Sequence, residues 1–272
     1  MKVGILCVSF RRDAAFCECL VQSYLKFCSG FAGLVIVVPT PDLDLFSKFA
    51  TRDVTVRTFD EEPGKGMLHH EVIVCSADQF VPSDWDIVMH MDSDAIFTTK
   101  CTPDYYMAYG KPIIWGNRYS EFQHHNRDRY CWKGCVQAAL GIDPEWETMA
   151  RIPMMYWKWM YGKFRAAVEA HTKKPFKEYV LSRRNEFPQG FAEFPSLGAF
   201  ALEYHKNDYV FGDGALHQSK HPPALRRPEN IVQFWSHGGL DKPIEFNNSI
   251  VPWRILGMTP RNVIRMVLSP PT

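Results

Sequence analysis

Apolar residues along the first hundred positions gather in short runs, with helical spacing between the runs. Lys2 to Phe10 reads as a first strand. From Ala14 to Phe27, the side chains of Phe16, Leu20, Tyr24 and Phe27 fall on a roughly common face, as the period of a helix requires. GLVIVVP, residues 33 to 39, is apolar without alternation, which suits a strand covered on both faces. VTVRTF, 54 to 59, is a third strand. The glycine-rich turn GKG, 64 to 66, leads into a helix from Met67 to about Ala77, and DWDIVMHMDSD, 84 to 94, is a fourth strand that runs into paired acids. This alternation predicts an α/β fold, a mostly parallel central sheet flanked by helices on both sides.

The second half is less regular. HHNRDRYCWKG, 124 to 134, concentrates hydrogen-bond donors and aromatics, and MMYWKWMYGKF, 154 to 164, reads as a helix. Trp157, Trp159 and Tyr161 of that helix suit core packing or subunit contact better than stacking on a sugar or base. HTKKPFKEY, 171 to 179, reads as a solvated boundary. FAEFPSLGAFALEYH, 191 to 205, sets Glu193 alone among aromatics, ahead of a helix from Leu197 to Tyr204.

Composition narrows the class. With 272 residues, 46% apolar and 14% aromatic, the chain reads as globular, with a core large enough for one main domain. Its formal charge of +1 gives no overall footprint for nucleic acid. The eight cysteines lack the paired spacing of a zinc framework and read mostly as reduced thiols. The apolar run of MKVGILCVSF is too short to span a membrane, so the expectation is a cytoplasmic protein. The tail TPRNVIRMVL, 259 to 268, offers a peripheral approach to lipid or to another subunit. The chain lacks GxxxxGK[ST] and has no GxGxxG after the first strand, which disfavours a P-loop nucleotidase and a dinucleotide-dependent dehydrogenase.

In a parallel sheet, ligands sit beyond the carboxyl ends of the strands. Asp92 and Asp94 of MHMDSDAIF stand at that edge, with Ser93 between them. Their carboxylate oxygens suit magnesium or manganese, and a bound cation offsets their mutual repulsion. A surface turn with two solvated acids is the competing reading.

MHMDSDAIF resembles the D-x-D element of the GT-A glycosyltransferase superfamily, which holds a divalent cation against the diphosphate of a nucleotide-sugar donor. The resemblance covers the approximate architecture of residues 1 to 115 and is looser beyond. It implies a single GT-A-like catalytic domain over 1–250, with a nucleotide-sugar-binding half (1–115) and an irregular acceptor-binding half (116–250). A tail or helix occupies 251–272. It also implies a metal-dependent transferase, with a UDP-sugar favoured over a GDP-sugar, Mn2+ or Mg2+ as cofactor, and Asp92, Ser93 and Asp94 at the donor.

Such enzymes complete the metal site late in the domain, and in IVQFWSHGGLDKP, 231 to 243, His237 is the candidate third metal ligand. Gly238 and Lys242 are then candidates for diphosphate contact. Ser9, Phe10 and Arg11 of VSFRRD are candidates for base, ribose or phosphate contact, although arginines at an ordinary helix start fit the same letters. Lys65 of GKG is a further diphosphate candidate. Glu193 is the candidate base that takes the acceptor hydroxyl proton, with Asp213 as its competitor, and its placement slightly favours inversion. A carbohydrate acceptor is favoured. Hydroxymethylated pyrimidines in DNA are the alternative acceptor, and a noncatalytic nucleotide-sugar or carbohydrate-binding protein is the alternative class.

Overall fold

A computed structural model of the chain describes residues 1–121, 127–149, 152–185, 190–213 and 230–233. In chain order the elements begin with β1 (Val3–Val8), α1 (Ala14–Phe27), β2 (Leu34–Pro39), α2 (Leu43–Phe46), β3 (Val54–Phe59), α3 (Gly66–Val74) and α4 (Ala77–Phe80). Next come β4 (Ile87–His90), β5 (Ala95–Phe97), β6 (Met107–Ala108), β7 (Lys111–Arg118), α5 (Arg127–Leu140), β8 (Trp146–Glu147) and β9 (Met154–Trp157). The remaining elements are α6 (Lys158–Thr172), α7 (Phe176–Leu181), α8 (Glu193–His205), β10 (Val210–Asp213) and β11 (Ile231–Gln233).

The central sheet has five strands in the order β3-β2-β1-β4-β9. β1 pairs in parallel with both β2 and β4, β2 pairs in parallel with β3, and β9 closes the edge antiparallel to β4. This is a mixed, mostly parallel sheet flanked by helices, the generic Rossmann-like α/β arrangement. Successive residues of each strand feed opposite faces. Leu6, Val8, Val35, Val37, Val88 and Tyr156 pack on one side against α3, α6, α7 and α8. Ile5, Cys7, Ile36, Val38, Met89 and Met155 pack on the other side against α1 and the segment from Phe97 to Trp115. Burial on both faces explains why β1 and β2 read as unbroken apolar runs. Gly4 interrupts β1 because the Trp85 ring occupies the space a Cβ there would need.

Smaller sheets complete the second half. β10, β7 and β6 form one path, with β8 on β7, and β11 pairs antiparallel with β5. Three boundaries differ from the sequence expectation. Residues 154 to 157 form the edge strand β9, and the helix begins only at Lys158, because Met154, Met155 and Tyr156 fill both sheet faces beside β4. The segment after GKG breaks into α3 and α4, with Cys75 and Ser76 between them. α8 starts at Glu193 rather than Leu197, and Pro195 is tolerated because it falls in the first turn, where the backbone N–H lacks an intrahelical partner in any case. Among the described residues, no helix is long and apolar enough to cross a membrane.

Candidate functional site

From β1 the strand order runs outward through β2 to β3 on one side and through β4 to β9 on the other. The reversal places the topological switch point between β1 and β4, where open α/β sheets receive ligands beyond the carboxyl ends of the strands. β1 delivers Ser9, Phe10 and Asp13 there, and β4 delivers Asp92, Ser93 and Asp94. Ser93 Oγ donates to Asp13 Oδ2 at 3.3 Å and ties the two strand ends together. Ser9 is buried, and its Oγ has no hydrogen-bond partner among the described residues. Phe10, by contrast, leaves 45% of its surface exposed at the rim.

β4 ends at His90, and the chain turns at Ser93 and Asp94 before entering β5, with Ala95 N–H donating to Asp92 O at 3.1 Å. This turn separates the environments of the two acids. Asp92 stays half-buried, whereas Asp94 is buried at 2% exposure. β11 then brings a distant residue to them. Its register sets Gln233 opposite Ala95, so the Gln233 amide lies beside the turn. Gln233 Nε2 donates to Asp92 Oδ2 at 2.7 Å and to Asp94 Oδ1 at 3.3 Å, bridging two groups that would otherwise repel.

Two further acids approach from the helical layer. Glu193 opens α8 and Glu71 lies in α3, both buried. Burial raises Asp92 to about 8. The charges of Asp94 and Glu193 add to that rise, the Gln233 amide opposes it, and Asp13 adds a smaller push. Burial raises Glu193 to about 7, against a backbone hydrogen bond that favours its charged form. Glu71 is pushed up to about 10, chiefly by burial and further by the Glu193 charge. Near neutral pH, Glu71 therefore holds a proton while Glu193 stands close to half-ionised.

His90, the last residue of β4, is held by the helical layer. Its Nε2 is 2.6 Å from Tyr161 Oη, and its ring meets Tyr156 and Phe194 edge-on. Burial lowers it to about 3, with His70 adding, so it stays neutral and supports the end of β4.

The structure gathers only part of the sequence-derived set. Ser9, Asp92, Ser93 and Asp94 meet at the switch point, and Glu193 couples electrostatically to Asp92. Arg11 is engaged elsewhere: its backbone N–H donates to Asp42 Oδ2 at 2.7 Å and its Nε to Asp42 Oδ1 at 3.0 Å. Lys65 pairs with Glu62 at 2.8 Å. Asp213 closes β10 opposite Gly116 of β7. His237, Gly238 and Lys242 lie outside the described residues.

The residues that sequence reasoning passed over are Glu71, Asp13 and Gln233. Glu71 carried a usable signal, a lone acid ahead of the apolar stretch VIVC. Gln233 carried a weaker one, a polar residue between Val232 and Phe234.

Among the described residues, no group of three or more His, Cys, Asp or Glu side chains is arranged to hold a metal ion. The chemistry of the acid pair still fits a hard divalent cation. Two adjacent carboxylates supply oxygen donors, and the proton affinity of Asp92, raised first by burial and then by the charges of Asp94 and Glu193, is what a bound cation would offset. No protein-family model matches the chain, and no curated protein matches it.

Proposed function

We propose that the chain is a metal-dependent glycosyltransferase of GT-A type, moving a sugar from a nucleotide diphosphate sugar, with UDP favoured, to a carbohydrate hydroxyl. The observation that carries this reading is the bridged acid pair. Asp92 and Asp94 stand at the switch point of a Rossmann-like sheet, and a strand returning from late in the chain braces them through Gln233.

In this reading Asp92 and Asp94 hold Mn2+ or Mg2+, and residues beyond Gln233, with His237 the candidate, complete the set. When bound, the cation neutralises charge that develops on the departing diphosphate. Ser9, whose buried hydroxyl has no hydrogen-bond partner among the described residues, offers a polar contact to the nucleotide beside β1. Glu193 serves as the base. The acceptor oxygen attacks the anomeric carbon, the bond from that carbon to the diphosphate breaks, and the acceptor proton passes to a Glu193 carboxylate oxygen. A proton affinity near neutrality suits that exchange. Glu71, protonated at the same pH, limits the negative charge that Glu193 and Asp92 must share.

The test is release of nucleoside diphosphate from a panel of nucleotide sugars, with and without manganese or magnesium, for the parent chain and for Asp94→Ala. Metal-dependent release from one donor, lost in the variant, supports the reading. Donor binding without turnover favours a nucleotide-sugar-binding protein, and neither binding nor turnover by folded protein removes the assignment.

A further inference from the structure

Away from the acid pair, Cys28 at the end of α1 and Cys101 after β5 meet as direct partners in an isolated parallel β-bridge. Cys101 N–H donates to Phe27 O at 2.9 Å, and Ser29 N–H donates to Cys101 O at 3.0 Å, which locks the register. Residues paired in this way have neighbouring backbones about 5 Å apart, inside the Cα separation of about 4.4–6.8 Å that a disulfide spans. Both cysteines are free thiols.

Cys101 is fully buried, so an oxidant reaches the pair through Cys28. Access is also present. Cys28 is half-buried, and Ser29, Gly30, Thr102 and Pro103, the chain neighbours of the two cysteines, line a cavity of about 220 Å³.

We propose that Cys28 and Cys101 form a reversible dithiol–disulfide site that hydrogen peroxide oxidises in the folded protein. The Cys28 sulfur, the accessible one of the pair, attacks one peroxide oxygen. An S–O bond forms, the O–O bond breaks, and hydroxide leaves and takes up the Cys28 proton as water. The Cys101 sulfur then attacks the resulting sulfenic sulfur. The S–S bond forms, the S–O bond breaks, and the second hydroxide departs as water with the Cys101 proton. Two thiols lose one electron each, and one peroxide becomes two waters.

Trypsin makes the test unambiguous, because residues 27–48 and 101–118 are single-cysteine peptides. The full chain is exposed to hydrogen peroxide under native conditions, its remaining thiols are alkylated, and the unreduced digest is read by mass spectrometry. The expected product is a 27–48/101–118 cross-link, two hydrogens lighter than the separate peptides and released by dithiothreitol. The oxidised chain should melt about 5 °C or more above the reduced one. Cys28→Ser and Cys101→Ser should each abolish both effects. Cys7 and Cys17 are both fully buried, with no accessible member such as Cys28 to meet the oxidant, and they should stay alkylatable after unfolding. The proposal is overturned if the parent chain yields both peptides unlinked, if Cys28 accumulates as sulfinic acid, or if Cys7–Cys17 cross-links first.

Discussion

The side-chain amide of Gln233 donates to Asp92 at 2.7 Å, although 141 residues separate the two along the chain. Gln233→Ala removes this donor from both acids and should destabilise the fold by about 1–2 kcal/mol, below the full value of a hydrogen bond to a buried charge because Asp92 is partly exposed. The amide also holds the Asp92 proton affinity down, so its loss should move the onset of metal response to higher pH. Urea titration and manganese titration across pH would check the two effects.

Stability should fall as pH rises through the neutral range. Unfolded carboxylates titrate near pH 4, whereas burial lifts Glu193 to about 7 and Asp92 to about 8. The folded state thus binds more protons than the unfolded state between these limits. The stabilisation from the neutral forms is complete below about pH 4 and is lost as pH passes about 7 and then 8. Glu193→Gln and Asp92→Asn should each flatten the decline of melting temperature with pH. Manganese should raise the melting point of the parent chain above pH 8 but not that of Asp92→Asn.

Gly198 of α8 faces Thr148, whose side chain occupies the space a Cβ at Gly198 would need. Thr148 Oγ1 in turn donates to Phe194 O at 3.2 Å, next to Glu193. Gly198→Ala should therefore cost about 1–3 kcal/mol through overpacking and displace the start of α8. Under the proposed mechanism, kcat should drop more than KM rises, which separates loss of the base from loss of donor binding.

Tyr161→Phe leaves the buried His90 ring without its 2.6 Å partner. A destabilisation of about 1–3 kcal/mol is expected by chemical denaturation, because a buried nitrogen is left unsatisfied. His90 stays neutral throughout the ordinary pH range, so the deficit should be constant from pH 5 to 9.

How much of this was legible depended on how local each determinant is. The apolar runs of β1 and β2 declare strands buried on both faces, and the Phe16–Leu20–Tyr24 spacing declares α1. The acids after β4 are visible because strand and motif are contiguous. MMYW of β9 was misread because an apolar run abutting a helix carries no break in period, and only the pairing with β4 makes it extended. Gln233 and Glu71 join the site through contacts between distant segments, β11 on β5 and α3 beside α8, which no local pattern encodes.

The β11–β5 pairing also sets an order of assembly. The strands β1 to β4, and both acids with them, are complete within the first 94 residues, but Gln233 follows only after another 139. At roughly 5–20 residues per second, a ribosome takes about 7–28 s to cover that interval. Throughout it, Asp92 and Asp94 face each other without their amide brace. The nascent sheet thus carries an electrostatic defect that only late synthesis repairs, and a chain truncated before β11 would keep the acids yet lack the geometry that binds them into one site.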